Sequence, residues 1–273
     1  MLKLWIEENK IEKPSYPDKM EFYEFHEKIK ITDEIKKDIS KRVLFSLKKR
    51  GLLKFKFNNL TSDEIKEYLI NSVLPDKYAP FSPQKSIWGE IVSAEILNVF
   101  RKHLIPVYKL RYKEKKDWAM RSEADVLTYY FDEGSLIIAF TEVKTKASNE
   151  SVSKYKNEMQ KAERGLSNNN VDEPEILEYM CQRLYDEKKC ELLQIFDEAF
   201  RNSDSYKKEF NIFMIMEKSK WDEEIIDFFK EKSTKLPNLT INIVLINSLN
   251  DLIDETYEII LDIAEDVVND FEE

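Results

Sequence analysis

Three near-continuous apolar runs constrain this chain most: "LIIAF" (Leu136 to Phe140), "IFMIM" (Ile212 to Met216) and "LTINIVLI" (Leu239 to Ile246). A strand with one wet face alternates apolar and polar residues, whereas a strand buried on both faces does not. Segments of helical pattern separate these runs, and helices returning between neighbouring strands cover both faces of a sheet. The chain is therefore expected to be α/β, with a central sheet flanked by helices.

The remaining elements follow from local punctuation. "MEFYEFHEKIKI" alternates as a strand from Phe22 to Ile31. "TDEIKKDISKRVLFSLKK" opens with Thr32 as N-cap and is expected to stop at Gly51 as a helix. "LLKFKF" alternates like a short strand, and "TSDEIKEYLINSVL" reads as a second capped helix. Pro75, Pro80 and Pro83 then crowd together, marking a boundary. The expected organisation is an N-terminal α+β region over residues 1–80 and a second domain over 81–273. In the latter, "SIWGEIVSAEILNVFRKHL" is a helix and "IPVYKLRYK" a short extended run. "ADVLTYYF" and "LIIAFTEVKT" are strands around "DEGS". A charged helical region runs from Ser151 to Asn202, broken near "SNNNVDEP". "EFNIFMIMEKS" is a strand, "WDEEIIDFFKEKS" a helix, and the acidic end from Asn250 an amphipathic helix. Internal repeats and low-complexity tracts are absent.

Composition excludes several classes. With 42% hydrophobic residues and only 4 Gly and 8 Pro among 273, the body of the chain is expected to form a real core. No window approaches the roughly 20 apolar residues that a membrane helix needs. "MLKLWIEENK" meets acids too early for a secretory signal, so a cytoplasmic protein is expected. Cys181 and Cys190 suit a reducing compartment, and His26 and His103 lack partners at zinc spacing. The net charge of −10 argues against a simple nucleic-acid binder. Contact with DNA or RNA would require a local basic patch, a divalent cation or a partner subunit.

The sequence contains six Glu-x-Lys tripeptides, beginning at Glu8, Glu34, Glu64, Glu114, Glu142 and Glu187. In a chain that is 35% charged, several arise by chance. Five lie in segments read as helix or charged loop; only Glu142-Val143-Lys144 follows an apolar run of strand character. A two-residue turn centred on Glu133-Gly134 would place Asp132 opposite Ser135, Phe131 opposite Leu136 and Asp125 opposite Glu142. Opposed residues share a face with Cβ atoms about 5 Å apart, and alternation brings Lys144 to that face. Two carboxylates that close repel unless a cation lies between them or one is protonated. Hard oxygen donors suit Mg²⁺, which commonly takes one or two protein carboxylates and can activate water for attack on phosphorus. The plainer alternative is an ion pair between Asp125 and Lys144 at a sheet edge. Glu90, on the Ala94 and Leu97 face of an apolar helix, is a further candidate acid, with Glu95 as its rival.

A helix carrying Glu90, a strand with Asp125, a strand with Glu142-x-Lys144 and a following helix resemble the PD-(D/E)xK nuclease superfamily over roughly residues 86–248. The usual Pro-Asp is here Ala124-Asp125. The resemblance implies a restriction-endonuclease-like mixed sheet with an N-terminal α+β extension. It also implies Asp125 and Glu142 as metal ligands, Val143 as a carbonyl donor, Lys144 as catalytic lysine and Glu90 as an outer acid, with Mg²⁺, or alternatively Mn²⁺, as cofactor. Within that superfamily, the "GEI" helix start and "EVKT" strand end resemble the nuclease subunit of the Hachiman antiphage defence system. This likeness implies DNA as substrate and a superfamily 2 helicase subunit as heterodimer partner. The helix after the catalytic strand would border the site, where Lys154, Lys161 and Arg164 could meet phosphates, or could simply form a solvated face with Glu158 and Glu163. "KLRYKEKKDWAMR", with Tyr112 and Trp118, is either a base-stacking segment or a surface loop. Two functions remain in play: a metal-dependent nuclease, and a non-catalytic interaction subunit whose Asp125, Glu142 and Lys144 form only an ion-pair cluster.

Overall fold

The computed structural model describes residues 2–11, 20–78, 83–107, 124–147, 150–167, 173–227, 229, 234 and 236–269. Its elements are α1 (Leu2–Trp5), β1 (Ile6–Ile11), β2 (Met20–Glu27), α2 (Asp33–Leu47), α3 (Arg50–Phe57), α4 (Ser62–Tyr68) with a π-helical turn at Leu69–Val73, and α5 (Pro83–Arg101). Then come β3 (Val126–Asp132), β4 (Ser135–Lys146), α6 (Val152–Ser167), α7 (Glu173–Asp186), α8 (Cys190–Arg201), β5 (Tyr206–Glu217), β6 (Leu239–Ile246) and α9 (Leu249–Asn269). The fold is mixed α/β. Among the described residues, six strands form one sheet in the order β1-β2-β6-β5-β4-β3, and its four central strands run parallel. The two edge strands are antiparallel to their neighbours.

The apolar runs occupy the centre. Every residue of β6 is buried, as are Phe210 to Met216 of β5. One face packs Phe25, Val126, Val143, Phe213 and Val244 against α2, α5 and α9. The other packs Phe140, Ile212, Met214 and Ile243 against α6, α7 and α8. Residues 2–78 contribute β1 and β2 to this sheet, while α2, α3 and α4 join the core beneath α9. Trp88, fully buried on α5, donates its indole N–H to Thr256 Oγ1 at 3.1 Å, and Ser40 of α2 donates to the Thr256 carbonyl at 3.0 Å. One threonine of α9 thereby ties three helices together.

Several expectations need correcting. "LLKFKF" forms α3: Leu53 and Phe57 are buried one helical turn apart, while Lys54 and Lys56 are exposed. Its alternation matched both periods, and the i,i+4 pair prevailed. The helix starting at Thr32 ends at Leu47, so Gly51 does not stop it but lies inside α3. Trp221 and Asp222 precede a 3-10 turn at Glu223–Ile225 where the expected helix was to begin; Phe229 is helical, and the rest of that segment lies outside the described residues. Asp222 accepts from Glu224 N–H at 2.9 Å, and the following N–H groups bond three residues back, which tightens the chain below an α-helical turn. Glu8-Asn9-Lys10, expected outside strands, lies on β1; Glu8 pairs with Arg101, and Lys10 pairs with Glu21 at 2.7 Å. "KLRYKEKKDWAMR" and the break after Ser167 lie outside the described residues.

Gly89 sets the distance of α5 from the sheet. A Cβ added there would collide with Thr145 Oγ1 and stand 3.1 Å from Thr145 Cβ and 3.3 Å from Val143 Cγ1. Gly89→Ala is expected to destabilise the fold by about 1–3 kcal/mol, measured by urea unfolding, and Thr145→Ala should recover part of that loss. Beyond α5, His103 is buried, bonds Thr128 Oγ1 at 2.8 Å and stacks on Tyr130. Burial lowers its pKa; Glu209 opposes this shift and Arg101 adds to it. The unfolded chain therefore takes up the proton first, and stability is lost as pH falls below the ordinary value of 6.5. His103→Gln is expected to flatten that part of the melting-temperature profile.

Candidate active site at the carboxyl end of the β3–β4 hairpin

The hairpin is closed by Glu133 and Gly134, both at positive φ (48° and 82°), the signs of a type I′ turn. Asp132 faces Ser135 and Phe131 faces Leu136, and the pairing continues to Val126 and Thr141. Asp125, one residue before β3, donates its N–H to the Thr141 carbonyl at 2.8 Å, so the regular pairing ends at Val126–Thr141 and the expected Asp125–Glu142 step is not part of the ladder. Its carboxylate accepts the Val143 N–H at 2.8 Å. Asp125 therefore pins the partner strand between the two charged residues Glu142 and Lys144.

Alternation divides this strand end cleanly. Val143 and Thr145 turn towards Gly89 on α5. Leu136, Ile138 and Phe140 belong to the opposite core, and Glu142 and Lys144 continue that face towards α6. Glu142 is buried (7% exposed) and accepts from Lys144 Nζ at 2.6 Å. Lys144 thus forms an ion pair with Glu142 on its own strand. Burial alone would push the Lys144 ammonium down; Glu142, with Asp125 and Glu158, outweighs this and holds its pKa above the ordinary lysine value. Lys144 is therefore charged throughout the neutral range.

Glu158 of α6 is the neighbour that sequence reading undervalued. It pairs with Lys161 at 2.9 Å and Lys146 at 3.6 Å. Burial pushes its carboxyl up, and Lys161, Lys146 and Lys144 together hold it below the ordinary range. Its signal in the sequence was position: one turn past Lys154, facing back to the strand. Among the expected phosphate contacts, Lys154 pairs with Glu150 at 2.7 Å, Lys161 with Glu158, and Arg164 Nε donates to the Gln160 carbonyl at 3.2 Å. Glu90 follows Gly89 on α5, and its charge helps raise the Tyr257 pKa after burial, the larger cause; this sets it by α9, on the face of the sheet opposite to that of Glu142. Glu95 is buried and accepts from Arg42 Nη1 of α2 at 2.7 Å.

Asp125 and Glu142 offer hard carboxylate oxygens, the donor type that Mg²⁺ or Mn²⁺ prefers. Among the described residues, no three His, Cys, Asp or Glu side chains are grouped to hold a metal. Mg²⁺ commonly takes only one or two carboxylates and completes its shell with carbonyl oxygen and water, so the two acids and the Val143 carbonyl fit its needs.

Comparison with protein families gives one match of great extent: the HamA family model covers residues 1–260. The chain belongs to the HamA family. HamA is a component of the Hachiman antiphage defence system, so this is an antiphage defence protein. Comparison with curated proteins finds no match. The HamA match spans both the N-terminal region and the hairpin site, in keeping with their shared sheet. Among the described residues, no helix of this HamA-family chain is long and apolar enough to cross a membrane.

Removing the Asp125 carboxylate would leave the Val143 N–H without that acceptor. Asp125→Ala is expected to lower stability by about 1–3 kcal/mol, whereas Asp125→Asn, which keeps an oxygen there, should lose less. Urea unfolding of both variants measures the difference, and equal losses would show that the hydrogen bond contributes nothing.

Proposed function

We propose that this HamA-family chain is the nuclease subunit of its defence system. It would hydrolyse phosphodiester bonds of DNA in the cytoplasm, with Mg²⁺ or Mn²⁺ bound and a superfamily 2 helicase as heterodimer partner. The observation that carries this reading is the convergence at one strand end: Asp125 fixed on the Val143 N–H, Glu142 buried beside it, and a charged Lys144 at 2.6 Å. The place in the fold supports it too, since ligands of open α/β sheets bind outside the carboxyl ends of parallel strands.

Asp125, Glu142 and the Val143 carbonyl would hold the metal. When bound, the metal supplies activation of water and neutralisation of charge developing on phosphorus. Lys144 would give up its bond to Glu142 and donate to a non-bridging oxygen of the scissile phosphate, balancing charge during the displacement. The water oxygen bonds to phosphorus, the bond to the sugar oxygen breaks in line, and that oxygen leaves with the proton the water gives up. Its raised pKa keeps that donor protonated at neutral pH. Glu90 serves as an outer acid, and Lys154, Lys161 and Arg164 on α6 exchange their present partners for phosphates. Because the chain carries a net charge of −10, much of the DNA affinity comes from the helicase, and cleavage is held back until that partner or a DNA structure releases it.

The Glu142–Lys144 bond also favours a second reading, an interaction subunit in which the cluster only stabilises the strand end. Plasmid degradation by the purified chain, with and without helicase, separates them. Magnesium is expected to support cleavage and a chelator to stop it. Glu142→Ala and Lys144→Ala should each lower the rate by roughly a hundredfold or more while circular dichroism shows them folded. Unchanged cleavage in both variants would remove the site assignment.

A further inference from the structure

The carboxyl edge of the sheet carries lysines beyond the candidate site. Strands β4, β5, β6 and β2 lie side by side and parallel, so their carboxyl ends emerge together. Lys146, Met216, Leu245 and His26 stand in one row across them. Two residues further along, β5 leads to Lys218 and β2 to Lys28, with Asn247 between them after β6. Lys220 and Lys30 follow two positions later. Three of the four strands thus end in a lysine pair: Lys144 and Lys146, Lys218 and Lys220, Lys28 and Lys30.

Their charges differ in availability. Lys144 and Lys146 pair with Glu142 and Glu158. Lys28, Lys30 and Lys218 are exposed and Lys220 half-buried, and none of the four forms an ion pair with a described residue; the Lys28 ammonium donates to the Lys3 carbonyl. Two acids at this edge, Glu217 and Glu27, face inward, whereas Asp222, Glu223 and Glu224 follow Lys220 and are exposed. Glu217 accepts the Ser248 and Leu249 N–H groups at the start of α9, and Glu27 accepts the Asn247 N–H and the Trp5 indole. A cavity of about 560 Å³ opens beside Lys28 and Lys30, where Lys36 is neutralised by Glu255 at 2.6 Å and Asp251 is the remaining acid. In a chain with net charge −10, four lysines without an ion-pair partner among the described residues stand together on one edge.

We propose that Lys28, Lys30, Lys218 and Lys220 form a track for the DNA backbone, leading from Lys144 across the sheet edge to the β1–β2 hairpin. From β4 to β2 is three strand spacings, about 14 Å, which matches roughly four nucleotides of duplex rise. Lysines on phosphates position a duplex without reading its sequence. The track rests on the nuclease reading for its direction, but its charges are tested separately.

Fluorescence anisotropy of a labelled DNA duplex, in chelator and over a series of salt concentrations, measures binding without cleavage. The full-length variant with all four lysines changed to Ala is expected to bind roughly tenfold or more weaker, with a salt slope shallower by about 3 to 4. Lys54→Ala with Lys56→Ala, on the exposed side of α3, should change neither. An unchanged slope in the four-lysine variant, equal weakening by the α3 variant, or no duplex binding by the wild type at low salt would overturn the track. An RNA duplex bound more tightly than DNA would overturn DNA as its occupant. If Glu142→Ala abolishes cleavage while the four-lysine slope is unchanged, the nuclease site stands and the track falls. If cleavage survives Glu142→Ala while the slope drops, the track stands and the site assignment falls.

Discussion

Two backbone dihedrals at Glu133 and Gly134 govern everything that converges at the far end of the hairpin. A two-residue turn with both φ values positive matches the twist of the strands it joins and fixes their register. Side chains alternate with period two, so a slip of one residue would send Glu142 and Lys144 to the α5 face and Val143 to the α6 face. The turn lies at the opposite end of β4 from the charged residues, and its effect is carried by the ladder from Asp132–Ser135 to Val126–Thr141. The Asp125–Val143 hydrogen bond then closes that ladder.

The site works against local economy. Glu142 is a carboxylate at 7% exposure, on the face that also carries Phe140 and Ile138. Placing a charge there is unfavourable unless a partner and hydrogen bonds compensate, and Lys144 is that partner. A hydrophobic pair would suit this strand end better.

The strands of the core were legible because burial on both faces leaves an unmistakable apolar run, and the hairpin was legible because turn chemistry and alternation agreed. Other segments were not. "IEENKI" forms β1, an edge strand whose charges discourage pairing with another chain and also hide its strand character. "LLKFKF" satisfied two periodicities, and only its packing beneath α9 decided between them. At the site, the register down to Val126–Thr141 could be reasoned from the turn, whereas the bonds of Asp125 to the Thr141 carbonyl and the Val143 N–H could not. The choice of Glu142 as the bonded partner of Lys144, and the closeness of Glu158, depend on how α6 packs on β4 and have no local signature.

Strand β6 joins two parts that would otherwise be separate sheets, β1-β2 on one side and β5-β4-β3 on the other. The bond between Glu27 and Asn247, 220 residues apart, shows how distant the joined segments are. During synthesis, the N-terminal hairpin must wait with an open edge until residues 239–246 leave the ribosome. Such non-local pairing is slow to form and prone to aggregation while incomplete. A ribosome stalled before β6 would therefore release a chain whose two half-sheets cannot meet, with the hairpin of Asp125 and Glu142 on one half and the Lys28–Lys30 edge on the other.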